Sequence, residues 1–316
     1  MKNLAMSLTF AAAAGSAQAL PPVLGPATLT TNLAVGALGP VDQNGRITLI
    51  YNPSGGQIVG GPNHRDISMG CAASFVNCFS EAMSYATAVP GPSASATASY
   101  SLNGTMPPEV TLLNPTQVGA NVSVTFQYQF SVDGPAGSTA FVDLASFMQA
   151  SGQFGPGLTM VSFAGFRVDA PGGVWVSTYL YAGNSSPTLQ RNTRDPLGNL
   201  TYTSVPSPGS GQYLENEVVP FAANTAYTVY LYANASAMQQ VVTGGNAGGG
   251  TAMAFVDPQF TIDPMTPNAS DYSIAFSTGI GNAPPVPEPA TAWTLAMGLG
   301  WLAWHRRSLR ARTISP

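Results

Sequence analysis

The chain is predicted to fold as an all-β protein, an antiparallel β-sandwich with jelly-roll-like winding. Three observations predict it. Apolar and polar residues alternate with a period of two, β-rich segments recur between clusters of Gly, Pro, Asn and Ser, and the body carries no long amphipathic helical pattern.

The alternation is clearest from Val122 to Val132, where every even position is apolar or aromatic and every odd position is small or polar. A helix would scatter those side chains around its circumference, whereas a strand places them on one buried face. A slip of one residue would expose Phe126 and Phe130, so the pattern specifies its own register. Comparable segments are expected at 94–102, 139–147, 158–168, 174–182, 225–235, 251–262 and 272–277. Turn clusters such as Asp133-Gly134-Pro135, Pro171-Gly172-Gly173 and Pro206 to Gly211 divide them. The stretch from Arg65 to Ala88 is the least strand-like and is expected to hold a short helix or a disulfide-pinned loop. No repeat at a solenoid period is present, which weighs against a β-helix.

Composition agrees with a packed body. Of 316 residues, 45% are hydrophobic and only 8% charged, against about 25% charged in an average protein, so disorder through charge is not expected. Lys2 is the only lysine, and Arg306, Arg307, Arg310 and Arg312 crowd the C-terminus. Between Leu20 and Val286 five arginines face thirteen acidic residues, a net charge of −8. Without a basic footprint, nucleic acid is not an expected partner.

Both ends read as addresses. Residues 1–19 combine Lys2, an apolar run from Leu4 to Ala14 and the small-residue site Ala17-Gln18-Ala19. This is the pattern of a secretory signal peptide, with signal peptidase expected to cut after Ala19. At the other end, Pro287-Glu288-Pro289 precedes an apolar segment, Ala290 to Trp304, and a basic tail, residues 305–316. The apolar segment would be about 22 Å long as a helix, short for a hydrocarbon core of about 30 Å. It can still span through local thinning and snorkelling arginines. Trp293, Trp301 and Trp304 suit the interfaces, and the arginines place the C-terminus on the cytoplasmic side. The expected organisation is therefore a signal peptide at 1–19, a β-sandwich ectodomain at 20–283, and a C-terminal unit at 284–316 that includes a transmembrane helix at 290–304.

The Pro-Glu-Pro motif, hydrophobic helix and Arg cluster, in that order, resemble the PEP-CTERM sorting signal, which is sometimes labelled after ice-binding proteins. No ice-binding activity is carried over. The resemblance implies an exosortase that cuts at Pro287, Glu288 and Pro289. It also implies an inner-membrane-anchored intermediate and a final place at the cell surface or outside the cell, associated with exopolysaccharide or biofilm. The prolines cannot join a regular ladder, so the motif should sit extended and accessible. The segments 221–231 and 256–263 look like strands of other PEP-CTERM ectodomains, which implies kinship of fold.

Chemistry in the body is sparse. Cys71 and Cys78 are the only cysteines, and in an oxidising compartment they are expected to form a disulfide. A zinc site built from them and His64 would lack a fourth ligand, so no metal site is expected. Asp257, Asp263 and Asp271 could offer oxygens to Ca²⁺, but no calcium-loop pattern accompanies them and turn capping is the simpler role. With one histidine and no lysine in the body, triad and Schiff-base chemistries lack their parts. The expected class is non-catalytic. The alternative is a carbohydrate-active hydrolase using the pair Glu215 and Glu217, which share a strand face at i, i+2.

Strand parity yields a further candidate. Trp175, Tyr179 and Tyr181 alternate with Val174, Val176, Thr178 and Leu180, and Tyr230 and Tyr232 alternate with Val229 and Leu231. If the aliphatic faces fill the core, the aromatic faces lie outside, where flat rings beside hydroxyls suit a polysaccharide. The competing reading packs these rings under a second sheet or loop.

Intact mass of the exported protein is the measurement that checks the two addresses. The expected mass lacks residues 1–19 and the segment beyond the Pro-Glu-Pro motif and is 2 Da lower for the disulfide; a full-length mass in the cytosolic fraction would sink the export reading.

Overall fold

The computed structural model describes residues 20–41, 46–59, 63–70, 72, 77–89, 91–104, 111–112, 116–153, 158–183, 188–194, 200–206, 211–241 and 248–282. The signal peptidase site Ala17 and Ala19, Cys71, the Pro287-Glu288-Pro289 motif and the expected helix at 290–304 lie outside the described residues. Among those described, no helix is long and apolar enough to cross a membrane.

The described body is a two-layered β-sandwich. In chain order its strands are β1 (Thr28–Val41), β2 (Arg46–Val59), β3 (Asn63–Gly70), β4 (Asn77–Thr87), β5 (Ser93–Asn103), β6 (Thr111–Leu112), β7 (Thr116–Asp133) and β8 (Thr139–Gln153). They continue with β9 (Leu158–Ala170), β10 (Gly173–Ala182), β11 (Thr188–Arg194), β12 (Leu200–Pro206), β13 (Gln212–Ala222), β14 (Ala226–Val241), β15 (Gly248–Ile262) and β16 (Ser273–Phe276). The larger sheet has ten strands in the order β12-β11-β10-β9-β14-β7-β1-β2-β6, with β16 also on β7; the smaller has six, β13-β8-β15-β5-β4-β3. All neighbours are antiparallel except β2 and β6.

The alternation foreseen in 122–132 is realised. Val122, Val124, Phe126, Tyr128, Phe130 and Val132 are all buried, at 0 or 1% exposure. Phe130 sits amid rings from both layers, with centroids 5.2 Å from Phe221, 5.4 Å from Tyr227, 4.8 Å from Phe260 and 6.1 Å from Phe276. At the other end of the sandwich the smaller sheet presents alanine to the core: Ala96, Ala98, Ala252 and Ala254 are each fully buried. The larger sheet also buries small side chains at that end, Ala233, Ala235 and Ala237 of β14 and Ala164 of β9, so rings fill the interface around Phe130 and small side chains fill it here.

Two paired crossings wind the chain over both layers. Strands β7 and β8 pair with β14 and β13, and both connections turn the same corner side by side. Asn224, in the left-handed conformation (φ 57°), stitches that corner. Its amide donates to the Val132 carbonyl at 2.7 Å and its side chain to the Gly134 carbonyl at 2.8 Å. At the opposite end, β8 and β9 pair with β15 and β14 in the same manner. The body is closed near Gln129, whose side chain accepts from Gly25 N–H at 2.6 Å and whose main chain exchanges hydrogen bonds with Ser277.

One expectation is overturned. Residues 65–70 and 77–87 are strand, paired in the β3–β4 hairpin, and not a short helix; the alternative of a disulfide-pinned loop falls on Cys71 and residues 73–76, outside the described residues. The hairpin's buried positions are Cys78, Ser80, Ala82, Ser84 and Ala86, so the period of two is present but written in small residues, which carry little hydrophobic contrast. Ser80 Oγ donates to the Gly36 carbonyl at 2.6 Å and so ties this hairpin to the other layer.

The outer face of the smaller sheet carries one perturbed acid. Asp257 pairs with Phe147 across β8 and is two residues from Phe255, whose ring lies 6.0 Å from that of Phe147. Burial pushes its carboxyl up from 3.8 to about 6.

Two outcomes follow for stability. Truncation of Phe130 to Ala should cost about 3–5 kcal/mol, while the same change at the exposed Phe141 should stay within about 0.5 kcal/mol, as read from urea unfolding. The folded Asp257 holds its proton to a higher pH than the unfolded chain, so stability should decline as pH rises from about 4 to about 6 and then level off. Asp257→Asn should flatten that decline; an unchanged slope in the variant would remove Asp257 as its source.

Candidate functional site

Three neighbouring strands of the larger sheet, β10, β9 and β14, bring the outward aromatic residues together. Register places Tyr179, Gly165 and Tyr232 in one row across the strands, Ser177, Arg167 and Tyr230 in the next, and Tyr181, Phe163 and Asn234 in the row on the other side. Their inward neighbours Thr178, Leu180, Val229, Leu231 and Ala233 are buried, which is what turns the rings to the outside.

The rings form one cluster. Phe163 lies 5.4 Å from Tyr179, stacked at 26°, 4.7 Å from Tyr181 and 6.2 Å from Tyr232. Tyr179 lies 6.2 Å from Tyr232, and Tyr230 and Tyr232 are 6.2 Å apart with planes only 8° from parallel. Gly165 makes the arrangement possible: a Cβ there would fall 2.4 Å from Tyr179 Cδ1 and 2.8 Å from the Thr178 carbonyl. The ring of Tyr179 therefore occupies the space over the strand that a side chain would fill. All five aromatic residues are partly exposed.

Charge on this face is internally balanced. Arg167 makes a two-pronged ion pair with Asp169, Nε to Oδ1 and Nη2 to Oδ2, both at 2.6 Å. Its guanidinium also sits 5.7 Å from the centroid of Tyr230, within cation–π range. That pair raises the Arg167 pKa further. Burial pushes the Tyr232 hydroxyl up to about 12 and raises those of Tyr179 and Tyr181 as well. All three stay protonated at neutral pH and can donate or accept hydrogen bonds. Around them, Asn192 Nδ2 donates to Ser177 Oγ at 3.1 Å, and the Asn234 side-chain oxygen is buried without a hydrogen-bond partner. The arrangement is a set of flat apolar ring faces interspersed with neutral donors and acceptors.

Of the residues singled out by parity, Tyr179, Tyr181, Tyr230 and Tyr232 come together and Trp175 does not. The pairing of β10 with β9 shifts between Val174 and Val176, a bulge that parity counting over an unbroken strand could not include. Trp175 instead faces the gap between the layers. Its indole N–H donates to the Pro220 carbonyl of β13 at 3.0 Å, and its ring lies 6.5 Å from the buried Tyr227. Phe163, Gly165 and Arg167 were missed, although their shared parity in the segment 158–168 was legible; that β9 lies between β10 and β14 was not.

The other candidates are dispersed. Glu217 is ion-paired with Arg191 across the two layers, and Glu215 shares its strand face by register, opposite Ser146. His64 is exposed opposite Tyr85 at one end of the β3–β4 hairpin, while Cys78 is buried at the other. Asp263 Oδ1 accepts from Met265 N–H at 2.7 Å, a turn cap, and Asp271 closes a short 3-10 turn, Ala269–Asp271. Among the described residues no three His, Cys, Asp or Glu side chains converge on a metal position.

No known family model matches the chain, and no curated protein matches it in sequence. Among solved structures, that of infectious bursal disease virus Gt strain aligns over 92% of this chain and 77% of its own. It does so at 12% identity and a TM-score of 0.12, values at which the likeness carries no argument.

Proposed function

We propose that this chain is an exported, exosortase-sorted protein of the cell surface or extracellular matrix. In this reading it is non-catalytic and binds exopolysaccharide through the outer face of the larger sheet. The sequence supports the export half of this reading through the signal-peptide pattern at 1–19 and the Pro287-Glu288-Pro289 motif with its apolar segment and arginines. In this account signal peptidase and exosortase are its processing partners, the segment 290–304 is a temporary membrane anchor, and a Cys71–Cys78 disulfide closes the short loop before β4. The winding of β7-β8-β9 against β13-β14-β15 supports describing the sandwich as jelly-roll-like.

The observation that carries the binding half is the cluster of Phe163, Tyr179, Tyr181, Tyr230 and Tyr232 on an outward sheet face. A pyranose ring offers an apolar face of C–H groups and a rim of hydroxyls. Partly exposed rings meet the first, and the hydroxyls of Tyr179 and Tyr232 meet the second. The Arg167–Asp169 pair leaves the face without net charge, which suits a neutral polymer better than a strongly anionic one. Glu217 is occupied by Arg191, which argues for a structural rather than a catalytic role.

Retention on insoluble glycans tests the reading. The double change Tyr179→Ala with Tyr232→Ala removes two stacking surfaces, each worth about 1 kcal/mol, so retention should fall roughly thirtyfold with the urea midpoint little moved. Full retention by a folded double variant would refute the platform.

A further inference from the structure

The smaller sheet carries an open cleft on its own outer face, on the opposite side of the sandwich from the tyrosine cluster. It has a volume of about 450 Å³ and is lined by Phe79, Ser99, Ser101, Gly249, Gly250 and Thr251, with the main chain of Tyr100 beneath. That volume falls within the roughly 300–1,000 Å³ typical of small-ligand sites. Register explains its shape. Phe79, Ser101 and Gly249 form one row across β4, β5 and β15, and Glu81, Ser99 and Thr251 form the next.

Each row supplies a different part of a binding surface. Phe79 is an aromatic wall, 44% exposed where a large apolar ring is ordinarily covered. Gly249 is the floor: a Cβ there would already meet the Tyr100 carbonyl at 3.1 Å and the Ser101 Cα at 3.4 Å, and its absence lets a ligand approach the backbone closely. Ser99 Oγ lies 3.5 Å from Glu81 Oε2, a long contact that leaves the carboxylate free to accept better donors. Ser101 and Thr251 add two further hydroxyls. Among the described residues no cationic side chain lines the cleft, and Glu81, beside Ser99 in the next strand, disfavours anions.

We infer that this cleft is a second carbohydrate site that takes a neutral hexopyranose, its apolar face against Phe79 and its hydroxyls toward Ser99, Ser101, Thr251 and the Glu81 carboxylate. The cleft stands on its own geometry. One consequence rests on the proposed glycan-binding face: with a site on each side of the sandwich, a single molecule bridges two polysaccharide strands, and avidity follows without new contacts.

The test uses the exported protein, followed by the backbone amide signals of Gly249 and Gly250. The probes are maltohexaose, cellohexaose, a β-1,3-linked glucohexaose and, as the anionic comparison, hexagalacturonate. At least one neutral probe should shift both glycine signals. Phe79→Ala should weaken that binding tenfold or more, and Thr251→Val, which keeps shape and removes the hydroxyl, should weaken it severalfold. Tyr179→Ala should leave the glycine shifts intact, which separates failure of the cleft from failure of the opposite face. Silence of both glycines with every neutral probe, shifts with hexagalacturonate alone, or full binding by folded Phe79→Ala would each overturn the cleft assignment. If both faces bind, the protein should make a neutral polysaccharide solution turbid, and either single-face variant should abolish this. A clear solution would overturn the bridging role.

Discussion

The burial of Phe130 among Phe221, Tyr227, Phe260 and Phe276 is the contact on which the rest depends. These rings come from β7, β14 and β16 in one layer and from β13 and β15 in the other, so a single cluster fixes how the two sheets meet. Once Phe130 points inward, the period of two commits every even residue from Val122 to Val132 to the core. Pairing of β14 with β7 then carries the same commitment to Tyr227, Val229, Leu231 and Ala233. The outward direction of Tyr230 and Tyr232 is thus a consequence of core packing at the adjacent positions Val229, Leu231 and Ala233.

The two outer faces answer to different physical demands. With so few charged residues, the body stays wettable through hydroxyls and amides rather than ions. On the larger sheet these surround a ring cluster whose only charged pair, Arg167 with Asp169, is self-neutralised. On the smaller sheet the exposed surface includes large apolar side chains: Phe79, Tyr85, Leu214 and Val218 are each more than two-fifths exposed. There Asp257 loses enough water to shift its titration. Glycine serves both faces in the same way. Gly165 makes room for a ring of the protein itself, and Gly249 keeps the backbone beside Ser101 uncovered.

Closure of the body relies on side chains where the ladders run out. Beyond Val256, β15 no longer pairs with β5, and the side chain of Asn282 takes over, donating to the Phe260 carbonyl at 2.6 Å and accepting from its N–H at 3.2 Å. Gly281 N–H reaches the Ala88 carbonyl at 2.8 Å. The segment after β16 thereby runs from β7 in one layer to β15 in the other and seals the edge beside the aromatic cluster, where unpaired backbone groups would otherwise be costly.

The features legible along the chain are local: the period of two in β7, the turn clusters, the parity of the tyrosines in β10 and β14, and the lack of parts for most catalytic constellations. Those features depend on neighbours along the chain, so they can be read from it. The β3–β4 hairpin escaped notice because serine and alanine at its buried positions give alternation without hydrophobic contrast. The bulge at Trp175 escaped because an inserted residue reverses parity only when a partner strand defines the register. Only packing in three dimensions shows that β9 separates β10 from β14, which assembles Phe163, Tyr179 and Tyr232 into one surface, and that Phe79 and the glycines of β15 line one cleft. Each joins strands far apart in sequence, and their order in the sheets is settled by packing between the layers rather than by any pattern within a strand.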